Sequence, residues 1–429
     1  MNFKTVNIIT LGCSKNLVDS EHLLKQFEAN GFIVTHDSPE PADVVIVNTC
    51  GFIFDAKEES VGMIMDCVAS KNAGHINKLF VMGCLSARYN SDLTAEIPEV
   101  DRFFGKFDFD AIITELGIQK RKDLLFDRVL TTPSHFAYLK IAEGCDRTCA
   151  FCAIPQFTGK HKSVPIADLV AEATRLAQKG VKELLLISQE LTYYGIDLYK
   201  ERKLPELIEE LSKIDGIEWI RLHYAYPANF PFDLLNVIKN NPKVCKYLDL
   251  PLQHVATPVL SAMRRNITEA QTRELVARIR TEVPGMALRT TMLVGHPGET
   301  EADFELLLDF VRQARFDRLG VFPYSHEEDT KGYEALADDI PQEVKEERAA
   351  RLMEVQQAIS EEIAAQKVGQ TLKVIIDREE GEYFIGRTQF DSPEVDGEVL
   401  IDAENLEIGE FYSVKITSSD MFDLYGVVV

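Results

Sequence analysis

The stretch Cys145-Asp146-Arg147-Thr148-Cys149-Ala150-Phe151-Cys152 decides how this chain of 429 residues is read. Three thiols at C-x3-C-x2-C spacing follow directly on a short β-rich run, Tyr138–Ile141. Three thiolates can hold three irons of a 4Fe-4S cube and leave the fourth iron open to a ligand. The competing reading is a zinc knuckle, which usually needs four closed ligands. His135 and His161 are the nearest candidates for a fourth, and neither has ordinary spacing.

Working outward, residues 131–365 repeat strand then helix six times. Strands are expected at Tyr138–Ile141, Glu183–Ile187, Glu218–Leu222, Tyr247–Leu250, Ala287–Leu293 and Arg318–Phe322. Polar or glycine residues cluster just past each one, as a partial (β/α)6 barrel with its site on one rim requires. Residues 1–130 show short strands at Val6–Leu11, Val44–Asn48 and Leu79–Met82, the pattern of an open parallel α/β sheet. Each strand is followed at once by a cysteine: Cys13, Cys50 and Cys84. A single buried cysteine is an ordinary core residue, but three at strand ends, where loops of such sheets gather, point to a second metal tripod. Cys67 and Cys245 lack that placement and are read as packing residues, and His254 is given no role. After a long charged helix at Gln342–Gln366, residues 366–429 change to alternating runs (Leu372–Ile376, Tyr383–Arg387, Glu398–Ile401, Tyr412–Ile416), the pattern of a small antiparallel β-barrel.

Charge narrows the partners. The formal net charge is −23, and residues 366–429 carry 5 Lys and Arg against 14 Asp and Glu, a net of −9. A nucleic-acid module is expected to be basic, so RNA is disfavoured and a basic protein suits better. A 45% hydrophobic share with no apolar run of bilayer length describes a globular chain rather than a membrane one. With eight cysteines and no secretory leader pattern, metal chemistry in the cytoplasm is expected rather than disulfides.

The cysteine loop opening a six-unit β/α segment resembles the radical S-adenosylmethionine superfamily across the whole middle segment. With the three-cysteine sheet before it and the small barrel after it, the chain resembles the methylthiotransferases of that superfamily, which end in a TRAM barrel. Leu11-Gly12-Cys13-Ser14-Lys15-Asn16-Leu17-Val18-Asp19-Ser20-Glu21, Asn48-Thr49-Cys50-Gly51-Phe52-Ile53, Gly83-Cys84-Leu85, Phe322-Pro323-Tyr324-Ser325 with Glu327 and Glu328, and Gly386 to Gly397 are similar to the branch acting on an aspartate of a small-subunit ribosomal protein. Ser14 and Ser392 stand where that branch more often has proline and alanine.

The resemblance implies two 4Fe-4S clusters and S-adenosylmethionine as cofactors. One cluster would sit on Cys145, Cys149 and Cys152, the other, carrying the sulfur to be donated, on Cys13, Cys50 and Cys84. It also implies that Ser188, Gln189, Glu190 and Gln253 hold the methionine end of the cofactor, that Gly295, Pro297, Gly298 and Glu299 approach its adenosine, and that Tyr324 contacts cofactor or substrate. The implied reaction methylthiolates an aspartate β-carbon, a hydrogen abstraction that no side chain could perform as a base. The acidic last domain would dock the basic ribosomal protein. Two other readings stand beside it: a transfer-RNA adenosine methylthiotransferase, and a non-catalytic metal scaffold. Sequence names neither the electron donor nor the sulfur donor.

Overall fold

The computed structural model describes residues 3–429. Among these, strands β1 (Thr5–Thr10), β2 (Ile33–His36), β3 (Val44–Thr49), β4 (Lys78–Gly83) and β5 (Arg102–Phe103) form a parallel sheet in the order β2-β1-β3-β4-β5. Every residue of β3 is buried, as befits a central strand covered on both faces. Helices α1 (Ser14–Ala29), α2 (Phe54–Asn72) and α3 (Cys84–Arg88) follow β1, β3 and β4. Those three strands are immediate neighbours, so the three cysteine loops are adjacent although far apart in sequence. Gly83 makes the close approach feasible: its φ is +101°, and a Cβ there would lie 2.5 Å from the Thr49 backbone.

The middle of the chain forms a second parallel sheet. Its strands are β6 (Phe136–Lys140), β9 (Glu183–Ile187), β10 (Trp219–Leu222), β11 (Val244–Asp249), β12 (Ala287–Val294) and β13 (Arg318–Pro323), in consecutive order. A two-stranded ribbon, β7 (Ala142–Glu143) with β8 (Lys162–Ser163), brackets the Cys145–Cys152 loop. The largest apolar core lies between this sheet and its helices, and the long helix Gln342–Ala365 packs back on β13.

Strands β14 (Thr371–Glu380), β15 (Tyr383–Thr388), β16 (Val399–Ile401), β17 (Phe411–Ser419) and β18 (Leu424–Val428) close into a barrel in the order β14-β15-β16-β18-β17. The expectation of a purely antiparallel barrel needs correction, because β16 and β18 pair parallel. Directions cannot alternate around a closed ring with an odd number of strands.

The loop after β15 inserts into the half-barrel. Tyr138 and Tyr247 hydroxyls donate to Glu394 and Asp396, each at 2.8 Å, and Arg318 donates to Asp391. Beneath it, fully buried Glu183 is gripped by Arg221 Nε at 2.7 Å and Arg387 Nη1 at 2.8 Å. Arg387 also holds Asp377, which His135 Nε2 reaches at 2.7 Å. Against the cost of burial, arginine side chains hold Glu183 and Asp377 below their ordinary carboxylate values. Removing the shared carboxylate in Glu183→Ala leaves the buried Arg221 guanidinium without an anionic partner and Arg387 with Asp377 alone, so unfolding stability is expected to fall by about 3–5 kcal/mol. Denaturant titration and proteolysis near residue 366 check this; wild-type stability would show the network to be idle.

Candidate active site

The carboxyl ends of the two parallel sheets face each other across one cavity of about 380 Å³. All six motif cysteines line it: Cys13, Cys50 and Cys84 from the first sheet, Cys145, Cys149 and Cys152 from the second. Among the described residues, none of the eight cysteines is in a disulfide. Cys84 Sγ lies 3.6 Å from Lys106 Nζ and 3.7 Å from Asn16 Oδ1. Cys145 Sγ accepts from the Arg147 backbone N–H at 3.4 Å, and Cys149 Sγ from Arg265 Nη1 at 3.5 Å.

Electrostatics differ within each triplet. Burial pushes the Cys84 thiol up to about 12 even beside Lys106, and Cys145 up to about 11. Burial acts the same way on Cys13, but Lys15, Lys106 and backbone N–H groups outweigh it and hold that thiol below its ordinary value. Binding a cationic inorganic body would displace the remaining thiol protons.

The donor set fits clusters better than a single ion. Among the described residues, no three His, Cys, Asp or Glu side chains converge tightly enough to hold one metal ion. The two histidines that could have completed a zinc knuckle are engaged elsewhere, His161 Nε2 at 3.1 Å from Ser163 Oγ and His135 with Asp377. Two thiol triplets around a roomy void suit two larger bodies.

Of the other expected residues, Ser188, Gln189, Glu190 and Gln253 line the same cavity. Among the described residues, Ser188 Oγ and Gln189 Oε1 are buried without a hydrogen-bond partner, polar atoms of the kind a polar cofactor satisfies. Gln253 holds a left-handed φ of +74°, strain of the kind that collects at functional rims.

Gly295, Pro297, Gly298, Glu299 and Tyr324 are not among the lining residues. Their loop packs under the long helix instead. Glu299 accepts from Arg348 Nη1 and the Gly295 N–H, each at 2.8 Å, and a Cβ on Gly295 would strike Lys345 at 2.3 Å. Tyr324 OH pairs with His326 Nδ1 at 3.0 Å. Cys67 and Cys245 sit in separate apolar clusters, and His254 is buried at 3.7 Å from Glu299.

Sequence reasoning missed Lys15, Lys106, Arg147, Tyr226 and Arg265, all on the cavity wall. Lys15 and Arg147 lie inside the quoted motifs and could have been noticed. Nothing local marks Lys106 or Arg265, which arrive from distant segments.

The segment after β13 ties the two thiol triplets together. Helix α2 begins four residues after Cys50 with Ile53 at its N-cap and no side-chain cap of its own. Glu327, from the barrel, supplies one: Oε1 accepts from the Phe54 N–H at 2.8 Å, and Oε2 meets Lys57 Nζ at 2.8 Å. Arg88, at the end of α3, donates to the Glu328 carbonyl. On the other side, the Gly332 N–H donates to the Ala150 carbonyl at 2.7 Å, inside the C-x3-C-x2-C loop. Glu327 is therefore a buried clamp rather than a free acid of the surface.

The open six-stranded parallel barrel, with its three-cysteine loop after the first strand, defines a radical S-adenosylmethionine fold. Family models agree: the Radical SAM superfamily matches residues 139–311, the Uncharacterized protein family UPF0004 residues 5–105, and the TRAM domain residues 368–429. A solved structure, the radical S-adenosylmethionine methyltransferase TsrM from Kitasatospora setae, is similar in fold with a TM-score of 0.57, at 14% identity over 88% of this chain and 79% of that one. Curated relatives are far nearer. Proteins named ribosomal protein uS12 methylthiotransferase RimO are 56% identical in Bacteroides fragilis and 54% in Porphyromonas gingivalis, each covering 100% of both chains. The chain belongs to this RimO family of radical S-adenosylmethionine methylthiotransferases.

Replacing the clamp in Glu327→Ala should cost about 1–2 kcal/mol, the range of a lost helix cap. Hydrogen exchange checks it: amides of 54–57 are expected to exchange faster while those of Val44–Thr49 keep their protection. Unchanged protection at 54–57 would show that the carboxylate caps nothing.

Proposed function

We infer that this protein is a methylthiotransferase that modifies an aspartate of the small-subunit ribosomal protein uS12. The observation that carries this is the single cavity ringed by two separate thiol triplets. Cys145, Cys149 and Cys152 would hold one 4Fe-4S cluster, and Cys13, Cys50 and Cys84 the other. Ser188, Gln189, Glu190 and Gln253 would lie against S-adenosylmethionine. When bound, these groups supply the electron, the hydrogen-abstracting radical and the methylated sulfur that no protein side chain can provide.

The chain's own residues do the rest. Lys106 faces Cys84 and lowers the electrostatic cost of several thiolates in one wall. Arg265 does the same at Cys149. Arg147 pairs with Glu190 at 2.9 Å, a fork that ties the cysteine loop to the rim after β9. The Glu327 segment, bonded to both halves, keeps the two triplets in register.

We place the units at 1–130, 131–365 and 366–429, matching the cluster domain, the radical core and the TRAM barrel. Asp377, Asp391 and Asp396 of the last unit are spent on internal arginines. Glu379, Glu382, Asp402, Glu404 and Glu407 stay exposed, and these would receive the basic ribosomal protein. That charge disfavours transfer RNA as the alternative substrate. No helix among the described residues is long and apolar enough to cross a membrane.

Anaerobic reconstitution is expected to give about eight irons per chain. Incubation with uS12, S-adenosylmethionine, reductant and sulfide should then add one SCH2 unit to a single aspartate, read by mass spectrometry. Exchanging any one of the six cysteines for alanine should abolish the product. Modification of transfer RNA in place of uS12, or bound zinc without cofactor cleavage, would overturn the reading. Raising salt should weaken uS12 binding, since exposed carboxylates are screened within about 10 Å at 0.1 M.

A further inference from the structure

Four cationic side chains line the cavity, and three of them are hydrogen-bonded or ion-paired within the chain. Lys106 Nζ lies 3.5 Å from Glu143 and 3.6 Å from Cys84 Sγ. Arg147 is paired with Glu190. Arg265 donates to the Pro251 carbonyl and to Cys149 Sγ. Lys15 differs. It is 8% exposed, and among the described residues its Nζ makes neither a hydrogen bond nor an ion pair; only the face of the Tyr224 ring, 3.8 Å away, receives it. An aromatic face offsets part of the cost of burying an ammonium, but not all of it.

No carboxylate of the chain is available to complete the site, and among the described residues the Cys13 thiol, which Lys15 helps hold below its ordinary value, makes no hydrogen bond to the ammonium. Glu143 is committed to Lys140 at 3.0 Å, to Lys106 and to Gln189, and Asp19 to Lys140. The same corner is electropositive for a second reason. Lys15 lies in the first turn of α1, a helix of 16 residues with no acidic side chain there and no side-chain cap, so the positive end of its dipole lies beside the cavity. Tyr224 follows β10 on the barrel rim, while Lys15 follows Cys13 on the opposing sheet. The ammonium thus bridges the two walls, where a substrate side chain must enter to meet both triplets.

We propose that Lys15 is a specificity-determining residue that receives the side-chain carboxylate of the substrate aspartate. The proposal deepens the functional reading above and rests on it. An aspartate brings the missing negative charge, whereas an adenine base or an asparagine amide does not. Selection of a carboxylate would then come from one buried ammonium left unpaired by the fold.

The test compares uS12 carrying aspartate or asparagine at the modified position, with reconstituted wild-type, Lys15→Gln and Lys15→Arg enzymes. Equilibrium binding, turnover and iron content are measured on each. Wild-type enzyme should bind the aspartate form better by about 10- to 100-fold, the effect of one charge-assisted hydrogen bond. Lys15→Gln should lose most of that ratio through weaker binding of the aspartate form, with the KM for it raised, and Lys15→Arg should recover part. A Lys15→Gln enzyme that keeps the aspartate preference overturns the proposal. So does one that loses iron while its residual activity keeps the preference, since Lys15 would then serve only as counter-charge to the thiols. Wild-type enzyme inactive on uS12 sinks the functional reading and this inference together, whereas an active wild type with an unchanged Lys15→Gln ratio sinks this inference alone.

Discussion

Two parallel sheets meeting at their carboxyl ends impose the constraint on which everything else depends. In each sheet the strands enter from one side, so the loops that leave them collect at one edge. Facing those edges toward each other turns six cysteines, spread over residues 13 to 152, into the wall of one chamber. Neither sheet could do this alone. Close packing at the edge of the first sheet is severe enough that a small residue becomes obligatory: Gly12 lies against Cys50, where a Cβ would come within 2.7 Å of its side chain. Cys84 packs directly on Ala153 and Phe157 of the barrel half.

The seam is polar where it needs direction and apolar where it needs only adhesion. Glu327 caps a helix that has no cap of its own, and that helix leads away from Cys50. Strain and unsatisfied groups gather beside it, in Gln253, Ser188 and Gln189, as expected where a fold trades local stability for a site. The C-terminal barrel acts on the opposite face. Its 388–397 loop fills the half-barrel through tyrosine–carboxylate and arginine–carboxylate contacts, so a domain with a net charge of −9 is partly a structural plug and partly a charged surface.

Much of this was legible because it is carried by local pattern. Continuous apolar runs such as Val44–Val47 mark strands buried on both faces, and the small residues after them mark the turns that hold the thiols. Glu183–Ile187 was bounded correctly for that reason. Strands β2 and β5 escaped because they are short edge strands with weak patterning, and β18 because Leu424–Val428 follows a turn rich in acids. The Gly295–Glu299 loop is also held by distant packing. Its glycines suggest backbone approaching a ligand, yet the space beside Gly295 is taken by Lys345 of a helix some fifty residues later. Lys106 and Arg265 reach the cavity only through tertiary packing, so no window of sequence could announce them.

The account's central claim is that each thiol triplet holds its own cluster and that both open on the same void. Iron-edge anomalous diffraction from crystals grown and reconstituted without oxygen measures this directly. Two separate iron centres are expected, one bounded by Cys13, Cys50 and Cys84, the other by Cys145, Cys149 and Cys152, with no protein layer between them. A single iron centre, or a zinc edge in place of iron at either triplet, would contradict it.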